Sequence, residues 1–260
     1  MGNSTLLAPL TNIIKTVRLS HILKAVRSPS NAVRKFKYHY RRVSERSFID
    51  FFAEQYKSSY KDLDEAHKGL HSNSILWREI EQKLSIYPDG YGLQMTMELP
   101  CLYLVTRLIK PDCIIETGVS SGASSAYLLS ALHDNRNGKL VSIDLPPDNL
   151  PAGKTVGWVV PDSLKNRWTL HIGDSKDLLD PVLSDIGKID CFIHDSLHTY
   201  AHMMWEFKTV WRYLHPGGLL LSHDVGNNEA FFDFMKEKCI SWKNYRVFHV
   251  LGGFQKPIRS

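Results

Sequence analysis

The chain has 260 residues, of which 43% are apolar and 23% charged, a composition that fits one sizeable α/β domain with an extension and excludes disordered and collagen-like chains. No apolar run approaches the roughly 18 residues of a membrane-spanning helix, and no secretory signal opens the sequence, so a cytoplasmic protein is expected. The formal charge of +5 is uneven, because residues 1–44 hold nine Lys or Arg and no acid, leaving 23 basic against 27 acidic residues elsewhere; a generally basic nucleic-acid-binding surface is thereby excluded.

From Leu10 to Val26 apolar residues recur at helical spacing with Lys15, Arg18, Lys24 and Arg27 between them, which predicts a basic amphipathic helix. Such a helix can rest weakly on an anionic membrane, with no second anchor because Leu6 breaks the myristoylation pattern. Its alternative use is to pack on the remainder of the chain or to build a homo-oligomer. Further helices are expected over Phe48–Tyr60, Ser74–Ile86 and Thr96–Ile109, with a turn at Tyr87-Pro88-Asp89-Gly90. Residues 1–44 thus read as a basic extension, 45–110 as a helical cap or lid, and 111–260 as the main domain.

Beyond Pro111 short apolar runs alternate with amphipathic helices, the pattern of a parallel sheet built from βαβ units. Strands are predicted at Cys113–Glu116, Leu140–Ile143, Thr169–Ile172, Ile189–Ile193 and Leu219–Ser222, and helices at Ala123–Leu132, Ala201–Leu214 and Asn228–Cys239. Tyr245–Val250 and Phe254–Ile258, joined through Gly252-Gly253, read as a terminal hairpin. The four cysteines, at 101, 113, 191 and 239, lack zinc-finger spacing and read as reduced thiols.

The turn after the first strand carries Glu116, Gly118, Gly122 and Ser124. Glycines there let the backbone approach a ligand, and the next helix offers N–H groups to a carboxylate. The dinucleotide pattern G-x-G-x-x-G fails at Ser120 and Ala123, and the phosphate-binding loop is absent. Gly118-Val119-Ser120-Ser121-Gly122 does satisfy the nucleophile elbow of α/β-hydrolases, so an esterase using Ser120 is the alternative from another reaction class. That reading has no HGGG-type segment, needs a histidine such as His249 inside a strand, and leaves Glu116 and Asp144 idle.

The ordered series Glu116-x-Gly118-x-x-x-Gly122-x-Ser124, then Asp144 closing Leu-Val-Ser-Ile-Asp, then Ile172-Gly173-Asp174-Ser175, resembles the cofactor motifs of class I S-adenosylmethionine-dependent methyltransferases. The resemblance spans roughly Glu98 to Leu251 and implies a Rossmann-like α/β fold. It implies that Glu116 and Gly118 shape the pocket floor, that Ser124 meets the methionine carboxylate, and that Asp144 takes the ribose hydroxyls. Asp174 and Ser175 would lie near the adenine; the plainer reading of Asp174 is a helix N-cap.

Two further strand ends, His194-Asp195-Ser196-Leu197-His198 and Ser222-His223-Asp224, fall at the same carboxyl edge, where two acids and several imidazoles suit a divalent metal. They are similar to metal-dependent O-methyltransferases of the catechol, macrocin and cephamycin type, which implies Mg²⁺ or another divalent ion on Asp195, His223 and Asp224. His223 stands where an Asp is usual, and His198 where catechol-type relatives place a lysine base, so His198 with Asp195 is the catalytic pair; a metal-independent methyltransferase is the other alternative. His194 is expected to point to the opposite face as a packed residue. His202 and His215 receive no role, and Trp205, Trp211 and Phe207 read as core aromatics. The acceptor stays open among sugar hydroxyls, phenols and hydroxylated metabolites, its pocket shaped by the helical extension and the long Pro146–Trp168 loop.

Overall fold

Cys113-Ile-Ile-Glu-Thr117 is buried at every position, as a strand covered on both faces of a parallel sheet must be. This strand, β1 (Cys113–Thr117), is flanked in parallel by β2 (Lys139–Asp144) and β4 (Ile189–His194), and β3 (Trp168–Ile172) and β5 (Leu214–Ser222) lie outside those. A terminal hairpin, β6 (Tyr245–Phe248) and β7 (Leu251–Gln255), completes the order β3-β2-β1-β4-β5-β7-β6, with β7 antiparallel to both neighbours. This is the Rossmann-like α/β sheet with a terminal antiparallel hairpin that the sequence predicts. Its strand order reverses between β1 and β4, where open α/β sheets bind ligands.

The computed structural model describes residues 42–72, 74–85, 97–146, 150 and 152–258. The basic helix read over Leu10–Val26 and the turn at Tyr87–Gly90 lie outside the described residues. No helix among those described is long and apolar enough to cross a membrane.

Helices α1 (Glu45–Gln55), α2 (Tyr60–Ser72), α3 (Ser74–Ser85) and α4 (Leu99–Ile109) precede the sheet, and α5 (Ala123–Asn135), α6 (Ser175–Ile186), α7 (Tyr200–Trp211) and α8 (Ala230–Glu237) accompany it. α4 is almost wholly apolar and packs against α1, α2 and α5. Phe48, Phe52, Leu102 and Tyr103 therefore share one core with Leu128, Leu132 and Leu140, and burying each large side chain contributes about 1.5–3 kcal/mol. The described helices of the segment read as a cap or lid thus pack on this core.

Three boundaries differ from the sequence reading for physical reasons. α1 stops at Gln55 and a second helix, α2, follows; only Leu63, Ala66 and Leu70 mark its inner face, amid charged residues. β5 begins at Leu214, where a helix end is predicted, and passes through Gly217 at φ 87°. The terminal hairpin turns at His249-Val250, not at the glycine pair. Gly252 and Gly253 lie within β7 because a Cβ at either would strike neighbours, Val225 at 2.8 Å and Leu221 at 2.5 Å.

Candidate active site

β1 hands over to α5 through Gly118 and Gly122, at φ 86° and 90°, a region that side chains disfavour. At Gly118 the cause is a close approach: a Cβ would stand 2.2 Å from the Asp195 carbonyl oxygen. Gly122 faces Gly157 of the long loop, whose amide donates to the Ser120 carbonyl at 2.9 Å. Val159 donates likewise to Ser121, so this loop is seated on the glycine turn.

Glu116 is fully buried and accepts hydrogen bonds from the hydroxyls of Ser124 (2.6 Å), Ser125 (2.6 Å) and Ser142 (2.7 Å). The Ser124 hydroxyl, implied to meet a methionine carboxylate, is in this structure turned to Glu116. Burial pushes the Glu116 carboxyl up to about 7 from 4.5, against the opposing pull of the three hydroxyls. A raised folded-state pKa stabilises the fold below the unfolded value and loses that effect as pH rises through the folded one. We expect wild-type stability to fall between pH 4.5 and 7 by on the order of 3 kcal/mol, measured by urea unfolding, whereas Glu116→Gln lacks this component.

Asp144 closes β2 half-buried, its Oδ2 accepting the Ser120 N–H at 3.0 Å. Burial raises its pKa, and the amides of Ser120 and Val119 oppose the rise. Asp174 caps α6, its Oδ1 accepting from the Lys176 amide at 2.8 Å. Ser175 is buried and donates to Glu206 at 2.8 Å, so its hydroxyl is turned into the protein.

The ends of β4 and β5 bring Asp195, His198 and His223 together, with one ligand atom of each lying within 4.8 Å of the others. His198 Nε2 is 3.4 Å from Asp195 Oδ1 and 3.9 Å from Asp224 Oδ2. His223 Nδ1 stands 2.9 Å from Asp195 Oδ1 without hydrogen-bond alignment. Burial works against both charges of this pair, yet each partner prevails: His223 and His198 hold Asp195 low, and Asp195 holds His223 high. Both nitrogens of His223 and Nδ1 of His198 are buried without a hydrogen bond; a cation on His223 would satisfy one of them. Asp224 stands one step out, at φ 53°, accepting from Asn227 at 2.8 Å. One carboxylate and two imidazoles fit a divalent transition metal.

Beneath this cluster lies a group the sequence reading passed over. Glu206 of α7 is fully buried and accepts from Thr117, Ser175 and Ser196 (each 2.8 Å), His194 Nδ1 (2.6 Å) and His202 Nε2 (2.9 Å). Burial alone would raise its pKa, but His194, His202 and Thr117 hold it low. One carboxylate thereby joins β1, α6, the segment after β4, and α7. His194 is buried, as expected, but its ring lies against the cluster, with its centroid 5.2 Å from that of His198.

Ser120 has a left-handed φ of 52°, but among the described residues no histidine bonds its hydroxyl, and His249 Nδ1 is 2.6 Å from Glu98 instead. A sequence family described as a methyltransferase domain matches residues 115–225, from β1 to just past β5. Residues 115–225 are thus similar in sequence to a methyltransferase domain, and the sheet has the Rossmann-like methyltransferase fold. The matched segment contains the carboxyl ends of all five parallel strands. Among solved structures, an SAH-bound methyltransferase of Podospora anserina aligns with a TM-score of 0.50 at 14% identity, over 76% of this chain and 96% of its own. The O-methyltransferase TomG of Streptomyces achromogenes, involved in tomaymycin synthesis and solved with SAM, aligns at 0.48 and 15% over 76% and 91%. MycE of the mycinamycin pathway, solved with Mg, SAH and mycinamycin VI, aligns at 0.44 and 16% over 58% and 47%, so this chain spans about half of its length. No curated protein matches the sequence.

Proposed function

We propose that this protein transfers the S-adenosylmethionine methyl group to a hydroxyl oxygen of a small molecule or sugar, assisted by a divalent cation on Asp195, His198 and His223. The observation that carries the reading is the cluster of Asp195, His198 and His223 at the same sheet edge as the glycine turn, one ligand atom of each within 4.8 Å of the others. A sulfonium methyl is already activated, so the protein must align donor and acceptor and assist loss of the hydroxyl proton.

Asp144 is the group for the ribose hydroxyls, its carboxylate already held by the Ser120 amide. Asp174 and Ser175 border the adenine side by position alone, their side chains being engaged within the protein. Asp195, fixed by its two imidazoles, orients the metal end of the pocket, and Asp224 supplies a further carboxylate beside His198. A cation bound there would lower the acceptor's hydroxyl pKa. Two imidazoles favour Mn²⁺, Co²⁺ or Zn²⁺ over Mg²⁺.

Turnover of labelled S-adenosylmethionine with catechol and sugar acceptors, with and without EDTA, tests this. Activity should vanish in EDTA and return more fully with Mn²⁺ or Co²⁺ than with Mg²⁺. Asp144→Ala should weaken S-adenosylmethionine in calorimetry by about tenfold or more, since hydrogen bonds to a charged group are worth about 1.5–3 kcal/mol. Full activity in EDTA removes the metal, and covalent labelling of Ser120 by a fluorophosphonate without S-adenosylmethionine binding points to the esterase instead.

A further inference from the structure

We propose that His249, held by the buried carboxylate of Glu98, is the base that takes the acceptor's hydroxyl proton; this rests on the methyl-transfer reading above. His249 occupies the β6–β7 turn at φ 54°, a left-handed conformation that costs a residue with a Cβ about 1 kcal/mol or more. The turn is fixed beside the acid and histidine cluster. Ser222, next to His223, pairs with Gly252, and the Val225 amide donates to the Val250 carbonyl at 3.2 Å. The turn that carries His249 is thereby tied to the carboxyl end of β5, on the backbone that flanks His223 and Asp224.

Its partner sits just ahead of α4. Glu98 is 1% exposed, and its Oε1 lies 2.6 Å from His249 Nδ1, while the imidazole remains 42% exposed. A buried carboxylate on Nδ1 keeps the proton on that nitrogen and leaves Nε2 as the acceptor. The Glu98 charge also acts on His223, so the dyad and the cluster are within electrostatic reach.

His198 is the base that family resemblance suggests, but its Nε2 faces Asp195 and Asp224 within the donor group. A nitrogen that holds a cation cannot accept a proton. A second imidazole, outside the donor group and steered by its own acid, is free for that task. The acceptor's O–H proton passes to His249 Nε2 while an oxygen lone pair forms the bond to the methyl carbon. The carbon–sulfur bond breaks with its electron pair going to sulfur, which leaves the methyl ether, S-adenosylhomocysteine and an imidazolium facing Glu98.

Methyl transfer from labelled S-adenosylmethionine to catechol, with nitrogen-15 NMR of the histidine rings, tests the assignment. His249→Ala should lower kcat on the order of 10²–10⁴-fold and leave S-adenosylmethionine affinity in calorimetry unchanged. Glu98→Gln should lower kcat and, unlike a loss of packing alone, weaken the preference of the His249 proton for Nδ1. His198→Ala should abolish Mn²⁺ binding, which His249→Ala preserves. A neutral His249 with its proton on Nε2 in the wild type overturns the proposal without any acceptor, and so does wild-type kcat in His249→Ala. Failure of the wild type to bind S-adenosylmethionine sinks the methyl-transfer reading instead, and the NMR result then still decides whether the dyad is arranged as a base.

Discussion

Replacing Glu206 by alanine is expected to destabilise the protein by about 3–5 kcal/mol, the range for removing one side of a buried charged network. The carboxylate is fully buried and receives five donors from three hydroxyls and two imidazoles. Deleting it strands those donors in the interior, where each unpartnered group costs about 1–3 kcal/mol unless water enters. Glu206→Gln should lose less, since its amide oxygen still accepts while its NH₂ meets donors. The pH dependence has a definite sign: a depressed carboxyl pKa stabilises the fold above the unfolded value of about 4.3 and the effect fades as pH falls through the folded value. Urea unfolding of the wild type and both variants at pH 7 and at about pH 3 measures this. A loss under about 1 kcal/mol for Glu206→Ala, the size of one ordinary hydrogen bond, would show that water satisfies the network.

The parallel strands were legible because a strand buried on both faces needs a continuous apolar run, and those runs are unmistakable at Ile114-Ile115 and Leu219–Leu221. The strand-end acids followed from the same register, since residues that close parallel strands share one edge. α2 was hidden because Leu63, Ala66 and Leu70 are its only apolar anchors. Glycine misled the hairpin: Gly252 and Gly253 signal a turn locally, yet their smallness serves contacts with residues far along the chain. The same non-local logic hid the supporting acids. Glu206 falls between Met203 and Val210 on the inner face of α7, all three buried, and a charge on that face was itself a sign of a buried partner. Nothing local links Glu98 to His249, which lie 151 residues apart. Ser124 and Ser175 match their motif positions, but which way their hydroxyls turn depends on Glu116 and Glu206 across the fold.

Gly118→Ala is expected to reduce methyl transfer by two orders of magnitude or more, because the glycine turn and the acid cluster are one mechanical unit. The added Cβ would lie 2.2 Å from the Asp195 carbonyl oxygen and 2.8 Å from the Ser196 nitrogen. Both are backbone atoms, so no side-chain rotation relieves the overlap, and the segment carrying Asp195 and His198 must move. A displacement of about 1 Å in a reacting constellation can cost about 10²-fold. The φ of 86° adds backbone strain, and overpacking of this kind typically destabilises by about 1–3 kcal/mol. Gly187 separates the two causes: its φ is 84°, but a Cβ there meets nothing within 4 Å. Gly187→Ala should therefore show the backbone cost in unfolding experiments and retain full turnover of labelled S-adenosylmethionine. Gly118→Ala should show both losses, together with weaker Mn²⁺ binding as His198 and His223 fall out of register with Asp195. Equal activity in the two variants would mean that the Asp195 segment yields without disturbing the site, and would separate the cofactor turn from the cluster it now supports.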